Sequence, residues 1–358
     1  MRFLCILVVL FVGLKAFSQD SVSVPSIDTT QHTKDTLTII GVGDIMMGTN
    51  FPEDKLPPND GDFLLKDVES VLKSADVTFG NLEGTLLDSG GIPKKCNDPK
   101  VCYAFRTPAR YVKNLINAGF DMMSLANNHA GDMGDEGRKS SMATLESAGI
   151  VHAGQMSQKT AIFEKEGIRY GLAAFAPNSN CVPLNDLQGA VQIVKELADT
   201  CDIVIVSFHG GAEGAQYQNV PRTNEIFHGE NRGDVYKFSH TLIDAGADII
   251  FGHGPHVTRA VEVYNNRFIA YSLGNFCTYR GISVNGVNGL APIIKVFTDK
   301  QGNFFKAEIT PTYQTYATGV RIDMQKQVIK KIQELTKKDF PESKTQIDDN
   351  GLITYLAQ

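Results

Sequence analysis

The chain predicts an α/β fold, a sheet with helices packed on its faces, and three observations carry the prediction. Short apolar runs recur and stop at glycine, segments of helical period lie between them, and several of those segments close in an Ala-Gly pair just before the next run. Nearly continuous apolar runs of this length fit strands buried on both faces. Strand alternating with helix then argues for βαβ units.

The first strand is Thr36 to Val42, β-branched and apolar, ending at Gly43-Asp44. Phe63 to Leu72 has helical spacing and leads to a strand at Asp76 to Phe79, which breaks at Gly80-Asn81-Leu82-Glu83-Gly84. A helix from Ala109 to Ala118 precedes a strand from Phe120 to Leu125, followed by Ala126-Asn127-Asn128-His129. Helical patterns cover Gly134 to Ala148 and Asp186 to Ala198, and the next strand, Asp202 to Phe208, runs into His209-Gly210-Gly211. Asp234 to Ala245 is helical, and the strand Asp248 to Phe251 ends in Gly252-His253-Gly254-Pro255-His256. The pairs Ala118-Gly119, Ala148-Gly149 and Ala245-Gly246 are helix stops of the expected kind. Farther on, Pro292 to Phe297 and Phe304 to Thr310 flank Asp299-Lys300-Gln301-Gly302, a hairpin signal, and Asp323 to Leu335 reads as an amphipathic helix before a polar tail.

At the amino end, Met1-Arg2 leads into an apolar stretch from Phe3 to Gly13, and Ala16-Phe17-Ser18 offers small residues for a signal peptidase. That core is too short to span a bilayer, so residues 1–18 are expected to be a secretory signal cut after Ser18. Residues 19–35 are polar and read as a tether, 36–312 as one α/β domain, and 313–358 as a C-terminal helix and tail. The expected location is therefore secreted, periplasmic or associated with the cell envelope, with no membrane-spanning segment once the signal is gone.

The chain carries 34 basic and 40 acidic side chains, a formal charge of −6; loss of Arg2 and Lys15 with the signal brings it to −8. A mildly acidic chain without a basic run disfavours nucleic acid as a partner. Five cysteines remain after the signal, and Cys96 and Cys102 bound a loop that one local bridge can close. No CxxC is present, which argues against a cysteine-based zinc site.

Five polar clusters follow the strands: Asp44; Asn81 with Glu83; Asn127, Asn128 and His129; His209; and His253 with His256. Ligands of open α/β sheets bind outside the carboxyl ends of strands, so polar groups repeated there point at one shared site. Carboxylates, amides and imidazoles together suggest a metal centre. Taken singly, each has a plainer reading. Asp44 can cap the next segment, Glu83 can sit in a surface turn or bridge two cations, and Asn127-Asn128-His129 can be a hydrogen-bonded loop or supply one ligand beside one acid or base. Asp132 and Asp135 are expected to prepare the next helix. His209 precedes two glycines that permit close approach of a ligand. His32 and His240 are assigned structural roles, and Arg222, Arg232 and Arg259 are read either as clamps for an anion or as ordinary surface residues.

Gly43-Asp44-Ile45-Met46, Asn81-Leu82-Glu83-Gly84, Leu125-Ala126-Asn127-Asn128-His129, His209-Gly210-Gly211-Ala212-Glu213, Gly252-His253-Gly254-Pro255-His256 and Tyr271-Ser272-Leu273-Gly274-Asn275-Phe276 occur in order between residues 37 and 298. Together they resemble the CapA family, associated with capsule and poly-γ-glutamate synthesis, which in turn resembles the calcineurin-like metallophosphoesterases. The resemblance implies a layered α/β sandwich of the metallophosphoesterase type and one or two divalent ions, with manganese, zinc and iron all suited to mixed oxygen and nitrogen ligands. It implies Asp44 and His256 at a first ion, Glu83 bridging, and Asn128, His209 and His253 at a second. His129 resembles the histidine that assists the leaving group, and Glu213 a group that orients others. Two departures concern the phosphoesterases: Met46 stands where they carry a histidine, and His253 and His256 are spaced more widely than their counterparts.

The function implied is a secreted, metal-dependent hydrolase of the phosphoesterase type in capsule or poly-γ-glutamate biosynthesis, acting on a phosphoester or anionic polymer beside the capsule-synthesis machinery. The alternatives are a metal-dependent γ-glutamyl amide hydrolase or transferase, and a non-catalytic component that binds or exports polymer.

Overall fold

The computed structural model describes residues 35–95 and 103–356. The predicted signal, the tether up to residue 34 and the Cys96 to Cys102 loop lie outside them.

In chain order the first half contains β1 (Leu37–Met46), α1 (Glu69–Leu72), β2 (Val77–Leu82), β3 (Thr85–Leu86), β4 (Arg106–Thr107), α2 (Val112–Ala118), β5 (Met122–Ser124), α3 (Gly134–Ser147), β6 (Val151–Ala153), β7 (Thr160–Lys165) and β8 (Ile168–Phe175). The middle adds α4 (Leu187–Ala198), β9 (Ile203–His209), β10 (Glu225–Phe227), β11 (Glu230–Gly233), α5 (Val235–Asp244), β12 (Ile249–His253), β13 (Val261–Tyr264), β14 (Arg267–Ala270) and β15 (Asn275–Thr278). The chain closes with β16 (Leu290–Thr298), β17 (Phe304–Thr315), β18 (Gly319–Ile322), α6 (Gln327–Asp339), β19 (Thr345–Ile347) and β20 (Leu352–Tyr355).

Two sheets lie face to face. The larger has the order β19-β20-β17-β16-β1-β2-β5-β6, with β15 paired to β1 and β18 to β17; the smaller has the order β13-β14-β12-β9-β8-β7. Apolar side chains of both inner faces form one core, with Ile39, Phe79 and Met122 from the first sheet meeting Leu172, Ile205, Phe251 and Phe268 from the second. Phe79 and Phe251 stack with centroids 5.5 Å apart, and Gly41 lies against that stack, where a Cβ would overlap the Phe251 ring. The outer face of the larger sheet is covered by α1, α2 and α3, through residues such as Leu72, Leu115 and Leu145. That of the smaller is covered by α4 and α5, through Val194, Leu197, Phe238 and Leu242. The result is the expected layered α/β sandwich: helix, sheet, sheet, helix.

Local chemistry sets the helix ends. Asp186 accepts a hydrogen bond from Gly189 N at 3.0 Å, and Asp234 from Lys237 N at 2.9 Å, each satisfying a free N–H of the first turn. Gly119 ends α2 at φ 82°, the left-handed cap that the Ala-Gly pair predicts. The helix expected over Phe63 to Leu72 is instead a 3-10 turn, Lys66–Val68, running into α1. Its amide bonding is diverted early: Leu64 O accepts from Val320 N of β18 at 2.8 Å, and Val68 N bonds Leu65 O.

The segment after residue 312, expected as a helix and a polar tail, completes the larger sheet. β18, β19 and β20 join it, and α6 places Val328, Ile329 and Ile332 in the core between the layers. Strands of three or four residues are too short for an alternating pattern to register.

Asp248, just before β12, accepts from Val204 N and from Arg267 Nε, both at 2.8 Å. Burial outweighs both partners and pushes its carboxyl up to about 6. A carboxyl raised on folding contributes stability that is complete below its ordinary pKa and is lost as pH rises through the folded value. From this group alone, folding stability is expected to fall between about pH 4 and pH 6 by on the order of 3 kcal/mol. Urea titrations of wild type and Asp248→Asn across that range test this: the variant should lack that part of the slope, and parallel slopes would refute the assignment.

Candidate metal centre

Register brings the polar clusters together. In the larger sheet Asp44 pairs with Asn81 of β2 on one side and Asn275 of β15 on the other, and Asn81 pairs with Ser124. In the smaller sheet His253 pairs directly with His209, because β12 and β9 are parallel. Asp44, Asn81, Ser124, His209 and His253 lie toward the carboxyl ends of their parallel strands, Asn275 opens β15, and Asp44 meets the imidazoles across the gap between the sheets.

Asp44 Oδ1 lies 3.1 Å from His253 Nδ1, and Oδ2 lies 2.9 Å from His256 Nδ1. Glu83 follows, with Oε2 at 3.7 Å from His209 Nδ1 and Oε1 at 3.5 Å from His256 Nε2. Asn81 Nδ2 donates to both carboxylates, at 2.8 Å to Asp44 Oδ1 and 3.0 Å to Glu83 Oε2. Asn127 Nδ2 in turn donates to Asn81 Oδ1 at 3.0 Å and to Leu82 O at 2.9 Å. Asn81 and Asn127 are thus spent holding the carboxylates.

Burial and charge oppose each other here. Burial would raise the Asp44 carboxyl, but hydrogen bonds from His253 and His256 and the imidazole charges hold it well below the usual carboxylate range. Glu83 is pushed well above that range by burial and by the neighbouring Asp44 charge. His256 rises to about 10: burial would lower it, but Glu83 and Asp44 outweigh that. His209 is held well below the usual histidine range by burial and by the charge of Arg232.

The donor set fits a divalent cation. Glu83 Oε1, Asn128 Oδ1, both ring nitrogens of His209 and His253 Nε2 are buried without a hydrogen-bond partner, although buried polar atoms are nearly always paired. Donor atoms of Asp44, Glu83 and His209 lie within 4.8 Å of one another. Ligand atoms sharing a tetrahedral ion at about 2.1 Å stand roughly 3.4 Å apart, which is the scale of the Glu83 spacings above.

Beside this set stands a second group that sequence reasoning only half found. His129 Nδ1 lies 2.7 Å from Asp132 Oδ2, leaving Nε2 turned toward Glu83 Oε1 at 4.0 Å. Asp132 also accepts from Phe105 N at 2.6 Å and pairs with Lys94 Nζ at 2.6 Å. Expected to prepare the N-terminus of α3, Asp132 makes no such bond; it orients His129 instead. The spacing of three residues between His129 and Asp132 is the available signal, whereas nothing marks Lys94. The Phe105 ring packs on the His129 imidazole at 4.4 Å. Burial lowers the His129 pKa, with Asp132 opposing and Lys94 reinforcing the fall.

Glu213 accepts from Arg232 Nη1 at 2.8 Å and is held below its ordinary range, because His256 and Arg232 outweigh its burial. The other two arginines are structural. Arg259 is fully buried and bidentate on Glu225, with both contacts at 2.8 Å. Arg222 lies over the Tyr236 and Phe340 rings and pairs with Glu342 at 2.6 Å. His240 and His152 bond Glu262 and Glu146, outside the cluster. Cys181, Cys201 and Cys277 are free thiols, and burial pushes Cys277 up to about 12, consistent with inert packing. No helix among the described residues is long and apolar enough to cross a membrane.

Fold and site define a two-sheet α/β protein with a buried carboxylate–imidazole cluster at the strand ends between its sheets. The chain belongs to the family described as bacterial capsule synthesis protein PGA_cap, which matches residues 38–280. It is 29% identical over 266 residues to the capsule biosynthesis protein CapA of Bacillus anthracis, covering 68% of this chain and 60% of that protein. It is 30% identical over 266 residues to the PGA biosynthesis protein CapA of Bacillus subtilis (strain 168), covering 70% and 65%. The aligned region thus spans less than two thirds of either relative's length. Among solved structures, a putative 5'-nucleotidase from Staphylococcus aureus is similar at TM-score 0.47 and 15% identity, covering 83% of this chain and 57% of that one. A hypothetical protein from Thermus thermophilus is similar at TM-score 0.48 and 15% identity, covering 78% and 100%.

Proposed function

We propose that this protein is a secreted, metal-dependent hydrolase of the phosphoesterase type, acting at the cell envelope on an anionic substrate of capsule or poly-γ-glutamate biosynthesis. The observation that supports it most is the grouping of donor atoms of Asp44, Glu83 and His209 within 4.8 Å of one another, with buried oxygen and nitrogen atoms left unpartnered on Glu83, Asn128, His209 and His253. Asp44, Glu83, Asn128, His209, His253 and His256 would hold one or two ions of manganese, zinc or iron. A divalent cation held there would supply an acidified water and Lewis-acid polarisation of the bond to be cut.

The chain's own residues carry the remainder. Asn81 fixes both carboxylates, so the site is shaped before substrate arrives. With Nδ1 donating to Asp132, His129 presents Nε2 to the site, where it can take up a proton and return it to the leaving group. Glu213, steadied by Arg232, stands at the more exposed rim.

Metal analysis of the purified chain, followed by parallel assays on p-nitrophenyl phosphate and a γ-glutamyl dipeptide, tests the reading. Metal-dependent release of phosphate is expected. Turnover of the dipeptide alone would shift the reading to an amide hydrolase, and failure to take up any divalent metal would remove both. Within the same assay Asp132→Asn should lower kcat by roughly 10–100-fold, with KM and metal content nearly unchanged, because His129 loses its orienting carboxylate. An equal loss of bound metal would show that Asp132 serves the cluster and not the imidazole.

A further inference from the structure

Arg232 of β11 is 2% exposed, and only one of its three guanidinium nitrogens is used well. Nη1 donates to Glu213 Oε1 at 2.8 Å and lies 3.8 Å from Glu230 Oε2, while Nε and Nη2 are buried without a hydrogen-bond partner. Those two nitrogens form the side-on edge of the guanidinium, a pair of parallel donors that matches two oxygens of one carboxylate or phosphate. Arg259 shows the contrast: Nε donates to Tyr217 O, and Nη1 and Nη2 are both taken by Glu225.

Arg232 is tied to the turn that leads from His209 to Glu213. Arg232 O accepts from Gly211 N at 2.9 Å, which anchors the strand on the turn that follows His209 and leads to Glu213. Arg232 lies close enough to His209 for its charge to act on that ring. The cluster is acidic, with the charges of Asp44 and Glu213 both acting on Glu83, so an anionic substrate needs compensating positive charge. Glu213, its side chain 23% exposed, marks the direction of solvent, whereas Asp44, Glu83, His209 and His253 are sealed.

We propose that Arg232 binds an oxyanion of the substrate, a phosphate or a carboxylate, through its Nε–Nη2 edge, while Glu213 sets the plane of the guanidinium. This rests on reading the cluster as a centre for anionic substrates, and it assigns the recognition of charge to β11 in addition to any metal. Lysine cannot replace the arginine, because a point charge does not bridge two oxygens.

Calorimetric titration of inorganic phosphate and of glutarate into the full chain, each with and without manganese, tests the assignment in wild type, Arg232→Lys and Arg232→Gln. Wild type is expected to bind at least one anion. Arg232→Gln should weaken that binding at least about tenfold in both metal states, and Arg232→Lys should recover only part of it. A loss confined to phosphate identifies a phosphoester group as the ligand, and one confined to glutarate identifies a carboxylate. Unchanged affinity in Arg232→Gln, full affinity in Arg232→Lys, or a wild type that binds neither anion overturns the proposal. If Arg232→Gln does not melt cooperatively, the comparison rests on Arg232→Lys. A chain that takes up no metal yet shows the anion loss would defeat the metal reading and leave this one standing.

Discussion

Asp44→Ala is expected to abolish divalent metal uptake and to lower turnover by at least about 100-fold, since loss even of a group that only supports a ligand costs roughly 10–100-fold. Its carboxylate holds three hydrogen-bonding partners at once: His253 and His256 each approach one of its oxygens, and Asn81 donates to Oδ1. The substitution also lifts the charge that helps push Glu83 upward, so Glu83 ionises more readily in the variant. That change strengthens one ligand while another disappears. Metal uptake in the variant therefore measures whether Asp44 itself is needed or only negative charge in the pocket.

The readout is thermal. A ligand that binds only the folded state adds roughly 4 kcal/mol at a thousand times its dissociation constant, so metal should raise the melting temperature of wild type and not that of Asp44→Ala. A comparable rise in both would mean that the ion sits elsewhere, and the ligand assignment for Asp44 would fall. Asp44→Asn serves as the shape control, because it keeps the side-chain volume and gives up the charge.

What is legible in the chain, and what is not, follows from the range of each interaction. β1, β2, β9 and β12 announce themselves as apolar runs ending at glycine, and the residues at their ends can be found because that pattern is local. The pairing of Asp44 with His253 spans 209 residues and crosses from one sheet to the other, so neither spacing nor period can reveal it. Resemblance to a family places these residues at one centre; the register of β1 with β2 and of β12 with β9 explains why they meet. Asp132 reads as a helix-start residue, since acidic side chains gather there, but its carboxylate turns to His129, Lys94 and Phe105 N. Arg232 lies among three arginines that sequence cannot separate. Burial separates them: Arg259 has a partner for every nitrogen, Arg222 sits against two aromatic rings, and Arg232 keeps a free edge.

Gly43→Ala should be the most damaging single-methyl change in the scaffold of the site. β15 passes so close to β1 that Asp44 N bonds Gly274 O at 2.8 Å, and a Cβ on Gly43 would collide with that same Gly274 O and lie 2.6 Å from Leu273 O. Both obstacles are backbone, so no side-chain rotation relieves them; β15 must move, taking Asn275 and its pairing with Asp44 along. Overpacking of this kind costs on the order of 3 kcal/mol, which lowers the melting temperature of a domain of this size by roughly 4–5 °C. Gly149→Ala separates close approach from ordinary glycine strain. Gly149 has φ 72°, and a Cβ added there would meet nothing within 4 Å, so its substitution costs only the left-handed backbone penalty, about 1 kcal/mol. The two variants should also differ in kind: Gly43→Ala should weaken metal binding through the displaced Asp44, while Gly149→Ala should leave it intact. Equal losses of stability would show that β15 yields easily, and then the tight β1–β15 contact would not be what fixes Asp44 in place.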